Sequence, residues 1–333
     1  MVKHAQSGRR SWKKRLLVLG LTLGAWPLQS GAQSPKWPEK PVRIVTPFGP
    51  GGGTDIFARL LAQQLTEVYG QQFLVENRPG AGSTIGTEHV AKSTPDGYTW
   101  LMTSASFGFV PGLYPKLKYD PLKDLVRVSQ VVTVPHVIAV LPSFPAKSIQ
   151  DFVKLARERP SQVLYASAGA GSAMHLAGAL FGLVTKTDLT HVPYKGGGAT
   201  TTAVLSGEAT TAFYTIETAL ALIQAKRLRA LAVSTRERSA ALPDVPTAIE
   251  AGFKDYDVAG WFGLMAPAGT PEAIVNQLSA ATHKALAKSA VREFAANKGA
   301  VLVGNRPAEF ERFVRDEIPR WTKIIQQAGV KLE

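Results

Sequence analysis

The stretch Gly49-Pro50-Gly51-Gly52-Gly53-Thr54-Asp55 lies between Val42-Arg43-Ile44-Val45 and Ile56-Phe57-Ala58-Arg59-Leu60-Leu61-Ala62-Gln63-Gln64-Leu65. The first flank is short and rich in β-branched residues, and the apolar residues of the second recur at helical spacing. The order is therefore strand, glycine turn, helix. The first backbone N–H groups of such a helix have no partner inside it, and the helix dipole places about half a positive charge behind them. Glycines keep side chains away, so an anion can approach the backbone closely. Phosphate fits poorly, because no Lys-Ser/Thr pair follows the last glycine and the carboxylate of Asp55 would repel it. The spacing also differs from Gly-x-Gly-x-x-Gly. A glycine-rich turn with Asp55 as a helix-capping acid is the alternative reading.

The same device occurs a second time. Gln162 to Ala166 reads as a strand, Ser167-Ala168-Gly169-Ala170-Gly171-Ser172 as a glycine turn, and His175, Leu176, Leu180 and Phe181 mark the helix that follows. Between the two copies the alternation continues. Strands are expected at Gln72–Glu76 and Tyr98–Met102, with a helix from Thr84 to Lys92 between them. Further on, a helix is expected at Ser148–Glu158 and strands at Thr190–Tyr194, Thr210–Tyr214 and Leu228–Ser234. Strand–helix alternation points to parallel sheets flanked by helices, which bind ligands beyond the carboxyl ends of their strands. Ser104 and Ser106 would lie at such an end. Val126 to Leu141, broken by Pro135, and Val258 to Ala266 read as two strands crossing between lobes. The expected fold is α/β, with two lobes, two parallel-rich sheets flanked by helices and two hinge strands. Lobe 1 is expected at residues 33–135 and 262–333, and lobe 2 at 136–261. Two glycine turns facing one cleft make a hinged clamp around a small anion.

Residues 1–32 carry six basic residues and no acid, then an apolar run from Leu16 to Trp26 and the small residues Ser30-Gly31-Ala32. This is the order of an export signal, with cleavage expected near Ala32 and a periplasmic location. Lys13 follows Arg9-Arg10-Ser11-Trp12 where a twin-arginine signal has an apolar residue, which favours the general secretory route. Removing this segment from 333 residues leaves 301 and takes the net charge from +13 to +7. The remaining basic residues are scattered, which argues against nucleic-acid binding. The sequence contains no cysteine, so thiol chemistry and thiolate metal sites are excluded. Its six histidines show no metal-ligand spacing. About 300 residues suit two lobes better than one core.

Taken in order, several motifs resemble one family. They are Pro47-Phe48-Gly49-Pro50-Gly51-Gly52-Gly53-Thr54-Asp55, Glu76-Asn77-Arg78-Pro79-Gly80-Ala81-Gly82 and Pro95-Asp96-Gly97-Tyr98-Thr99. Gly169-Ala170-Gly171-Ser172 with His175-Leu176-Ala177-Gly178, His191-Val192-Pro193-Tyr194-Lys195-Gly196 and Leu242-Pro243-Asp244-Val245-Pro246-Thr247 follow. Trp261-Phe262-Gly263 and Pro267-Ala268-Gly269-Thr270-Pro271 complete the set. The chain resembles the Bug family, the periplasmic substrate-binding receptors of tripartite tricarboxylate transporters. The resemblance implies a two-lobed periplasmic binding protein (type II-like) that closes on a carboxylate, with no cofactor, no metal and no catalytic residues, and membrane transporter subunits as partners. A monomer is expected.

By that resemblance Phe48, Gly51, Gly52, Thr54 and Asp55 hold one ligand carboxylate, partly through water that Asp55 orients. Ser167, Ala168, Gly171 and Ser172 face them from the other lobe. His175 is expected in the core and Trp261 in hinge packing. Lys195 is a cation beside a glycine turn, with a ligand or partner role set against simple solvation. Two departures bear on specificity. Phe213-Tyr214-Thr215 stands where the family often has Phe-Asp, and Gly198-Ala199-Thr200 follows Lys-Gly where a proline is usual. An amino-acid ligand needs a buried anion for its ammonium, and Tyr214 and Thr215 offer only hydroxyls. Glu217 lies two residues into the next helix and is a weak substitute. The expected ligand is therefore a mono-, di- or aromatic carboxylate. A ligand sensor acting on a membrane signalling partner uses the same clamp and is the alternative function. An exported hydrolase is less supported, because Ser172 and His175 lack an orienting acid and no Gly-x-Ser-x-Gly turn is present.

Overall fold

The computed structural model describes residues 37–332, so the export segment and its cleavage position lie outside the described residues. The chain opens with β1 (Val42–Thr46), α1 (Gly53–Tyr69), β2 (Phe73–Asn77), α2 (Thr84–Ala91), β3 (Thr99–Ser104) and α3 (Ser106–Leu113). The long β4 (Leu125–Val140) leads into α4 (Ile149–Glu158), β5 (Val163–Ser167), α5 (Ala173–Thr185), β6 (Leu189–Pro193), α6 (Gly197–Ser206), β7 (Thr211–Thr215), α7 (Ile216–Gln224) and β8 (Arg229–Val233). The chain then returns through β9 (Ala259–Pro267), α8 (Glu272–Leu286), α9 (Ser289–Asn297), β10 (Val301–Leu302) and α10 (Pro307–Gln327).

The strands form two parallel-rich sheets that share β4. In the first, β2, β1 and β3 run parallel, and β9 lies antiparallel between β3 and the first part of β4. In the second, β6, β5 and β7 run parallel, and β7 and β8 pair antiparallel with the last residues of β4. Residues adjacent on β1 and on β3 enter different hydrophobic clusters: Ile44 and Val45 face opposite sides, as do Trp100 and Leu101. Both faces of the sheet are therefore covered, as the period of two requires.

Three features differ from the sequence expectation. Pro135 does not break β4. It stands opposite Ala259 as the last residue of β4 paired in the first sheet, and His136 pairs with Thr215 in the second. Its missing N–H thus falls where the ladder changes partner, the place a strand tolerates proline. Secondly, β9 pairs within the first sheet, and the second crossing is made by Val258 just before it, whose N–H donates to the Ser234 carbonyl after β8 at 3.0 Å. Thirdly, α3 was not legible, because it contains Gly108, Pro111 and Gly112. Burial overrides that propensity, with Phe109 packed edge-on to Trp321 of α10 at 4.6 Å.

The α10 helix presses closely on β9. A Cβ built on Gly263 would lie 2.2 Å from the Phe310 ring. Gly263→Ala is expected to force the two elements apart and to cost about 1–3 kcal/mol, read as a lower urea midpoint with an unchanged slope. A midpoint equal to the parent's would mean that this packing is slack.

Candidate ligand-binding site

The parallel strands bring six strand-to-helix turns to the carboxyl ends of the two sheets. Those before α1, α2 and α3 belong to the first sheet, and those before α5, α6 and α7 to the second. Each opens a helix whose first N–H groups lack intrahelical acceptors. In α1, the first helical bond runs from Ile56 N–H to the Gly52 carbonyl, which leaves the N–H groups of Gly53 and Thr54 for an outside acceptor.

The turn before α1 is shaped by Asp55, which is 3% exposed. Its Oδ2 accepts from the Gly51 N–H at 3.0 Å and from Arg59 Nε at 3.0 Å, and its Oδ1 accepts from Asn77 Nδ2 at 2.9 Å. Burial raises the carboxyl pKa, but the hydrogen bonds from Arg59, Gly51 and Asn77 outweigh it together and hold the pKa below the ordinary value. Asp55 therefore ties the turn to β2, and the Gly51 N–H is spent on Asp55. Gly52 is exposed at the N-cap, Thr54 is buried, and Phe48 is half-buried with its carbonyl accepting from Asn77 Nδ2 at 3.0 Å. Asn77 was not among the expected site residues, although it is the last residue of β2.

Ser104 and Ser106 come together. Their hydroxyls lie 3.0 Å apart, and Ser106 Oγ donates to Ser83 Oγ at 3.2 Å. Ser83 caps α2 from a left-handed backbone with φ of 90°. Its place in this chain of hydroxyls is set by that conformation and was missed in the sequence.

The turn before α5 is held by two histidines. The Gly171 N–H donates to His175 Nδ1 at 3.0 Å, which makes His175 a neutral ring with its proton on Nε2. His175 stacks on His191 of β6 at 3.6 Å between centroids and 3° between planes. His191 Nε2 lies 2.7 Å from Ser167 Oγ. Ser167 donates to the Gly169 carbonyl at 3.0 Å, so it accepts from His191. Burial pushes His175 down to about 3, with His191 adding to the shift, and pushes His191 down to about 4. Gly171 has a φ of 73°, and a Cβ there would meet Leu113 of α3 at 2.9 Å. The turn thus reaches the first half of the molecule. Ser172 caps α5, accepting from the His175 N–H at 3.3 Å, while Ala168 is half-buried beside it. Ser167 is fully buried and its hydroxyl is engaged, so this residue shapes the turn from within. Lys195 is exposed beside Gly196, the N-cap of α6.

The turn before α7 departs furthest from expectation. Tyr214 is fully buried in the core, while Thr215 is half-buried at the N-cap. The strand is covered on both faces, so its last residues could not be assigned to cleft or core from sequence. Glu217, in the first turn of α7, reaches across to α1. A Cβ built on Gly53 would lie 3.0 Å from Glu217 Oε1 and 2.6 Å from the Phe262 ring. Two helix N-termini, one from each sheet, therefore meet with a carboxyl between them.

An open cavity of about 750 Å³ lies elsewhere, at the amino ends of β1 and β3, lined by Lys40, Arg43, His89, Lys92, Asp96 and Tyr98 among others. Among the described residues no group of three or more His, Asp or Glu side chains could hold a metal ion, and no helix is long and apolar enough to cross a membrane.

Residues 57–330 match the family described as tripartite tricarboxylate transporter family receptor. Protein BugT of Bordetella pertussis is 36% identical over 320 residues, which cover 96% of this chain and 98% of that protein. Among solved structures, Rpa4515 of Rhodopseudomonas palustris with adipate is 35% identical with a TM-score of 0.82, covering 89% of this chain and all of that one. MatC of the same organism, with bound malate, is 33% identical with a TM-score of 0.78, covering 87% and 100%.

Proposed function

This chain belongs to the tripartite tricarboxylate transporter family of receptors, and we propose that it is a periplasmic solute receptor which closes on a small carboxylate and delivers it to membrane transporter subunits. The observation that carries the reading is the meeting of helix N-termini from both sheets, α1 at Gly53 against α7 at Glu217. Backbone donors with the helix dipole behind them favour an anion, each dipole by roughly 0.3–2 kcal/mol depending on burial. Related receptors hold dicarboxylates, adipate in one and malate in another. The ligand contacts fall on the N–H groups of Gly53 and Thr54, on the Ser104–Ser106 hydroxyls, on the Gly171–Ser172 turn and on Thr215. Asp55 and Ser167 support the two turns from behind.

Lobe 1 then comprises residues 37–135 and 259–332 and lobe 2 comprises 136–258, with bending at Pro135 and before Ala259. Export places the mature chain in the periplasm after cleavage near Ala32.

The test is a thermal-shift panel on the purified mature protein, followed by calorimetry, with adipate, malate, butyrate and benzoate beside aspartate and glutamate. A carboxylate at a hundred times its Kd is expected to stabilise the fold by about 2.7 kcal/mol. Shifts with none of the carboxylates, or turnover of esters at enzyme-like rates, would overturn the reading.

A further inference from the structure

We propose that Glu217 is a ligand-reading residue of the cleft, which takes up a proton together with a carboxylate ligand and donates it in a hydrogen bond to that carboxylate. The inference rests on the carboxylate reading of the preceding section. Glu217 stands where α1 and α7 present their N-termini to each other, with Oε1 against Gly53. Its Oε2 is shut off from solvent and has no hydrogen-bond partner. A buried carboxyl oxygen without a donor is costly in a folded protein. The other oxygen of the same carboxyl, Oε1, lies against Gly53, whose N–H is with that of Thr54 a donor assigned to the ligand. A carboxylate bound there approaches Glu217 closely, and two carboxyl groups sharing a site cannot both stay ionised. One proton from solvent then binds Glu217, and its O–H donates to the ligand oxygen in a short charge-assisted bond.

The surroundings favour this protonation. Burial raises the Glu217 pKa to about 7, against the opposing effects of its own N–H, Thr215 and Lys298. Lys298, at the end of α9, holds its ammonium 6.0 Å over the Phe294 ring and makes no ion pair with Glu217 among the described residues. On α1, the nearest charged groups are Asp55 and Arg59, which are paired with each other. On β9 the neighbour is Phe262. On β4, His136 stands opposite Thr215 and burial pushes it down to about 4, so it is neutral in this range. Glu217 is therefore the group poised to titrate near neutrality in this corner. Its selectivity follows from the same chemistry. A protonated carboxyl accepts a carboxylate neighbour and gives an ammonium group no counter-charge.

The experiment is calorimetry of the mature protein with adipate and with malate at about pH 6.5 to 8.5, where the ligands stay fully ionised, in two buffers of different ionisation enthalpy. Affinity is expected to be level below about pH 7 and to fall about tenfold per pH unit above it, with close to one proton taken up per ligand at the alkaline end. Glu217→Gln keeps a donor and loses the titration. It should bind with a pH-independent Kd and no proton uptake, and thermal melting checks that it is folded. The proton count on the parent protein stands even if that variant misfolds. A Kd independent of pH in the parent protein, with no proton uptake, overturns the inference and leaves the carboxylate reading intact. Aspartate binding that tightens as pH rises, with adipate and malate silent, also overturns it, because Glu217 would then act as an ionised partner for an ammonium. Failure of every carboxylate at every pH removes the carboxylate reading itself and this inference with it.

Discussion

Lowering the pH from about 6.5 to 4.5 is expected to strip the protein of most of its stability, well before its surface carboxylates are neutralised. Burial pushes His136 and His191 down to about 4 and His175 to about 3, from an ordinary value of 6.5. An unfolded chain protonates all three as the pH falls below 6.5, while the folded chain holds them neutral. Their contribution is fully present above pH 6.5 and is lost as pH falls toward the folded values. Glu217 acts in the opposite sense. Its raised pKa stabilises the fold below about 4.5, and that contribution fades as pH rises through about 7. Between these limits three histidines oppose one carboxyl. Unfolding then takes up about two protons net, a slope of about 2.7 kcal/mol per pH unit. Typical domains have only 5–15 kcal/mol in total. Urea midpoints at about pH 7, 6 and 5 measure the slope. His136→Gln should reduce it by about one proton. Equal midpoints at all three would show that these rings are not held neutral in the fold.

The second large effect is expected at Asp55. Replacing it by alanine strands the Gly51 N–H and takes from Arg59 and Asn77 the carboxylate they share. Hydrogen bonds to a charged group contribute about 1.5–3 kcal/mol each, though the partners are not additive and Arg59 is half in water. A loss of about 3 kcal/mol is expected, together with at least a tenfold weaker ligand as the turn loosens. Asp55→Asn keeps one acceptor and should lie between. A variant that binds and melts like the parent would show that the glycine turn holds its shape without this side chain.

Much of the architecture was legible because it depends on local order. The alternation of β-branched runs, glycine turns and amphipathic helices placed nearly every strand within a residue or two, including β4 and β9. α3 was hidden because its formation depends on burial under α10, which residue propensity does not reveal. The site was legible only as backbone. Both glycine turns stand at helix N-termini, yet the side chains around them are arranged by distant partners. His191 comes from β6 to stack on His175, and Ser83 takes a left-handed backbone to reach Ser106. Glu217 was discounted because it lies two residues into the next helix, but from there its carboxyl reaches across to Gly53 of α1. Tyr214 drew attention for its hydroxyl, and the two-sided burial of β7 turned it into core.

The placement of β9 between β3 and β4 also fixes an order of assembly. Every partner strand of the second sheet lies between His136 and Val233, so that sheet can pair within one continuous stretch. The first sheet cannot. Its strands β3 and β4 wait for a neighbour that begins at Ala259 and for the α10 helix that covers it. A chain delivered amino end first therefore carries two unpaired strand edges until its last quarter arrives. Such edges are the template on which chains pair with one another. Truncation or delayed release near the carboxyl end thus endangers β3 and β4 most, strands made long before their partner.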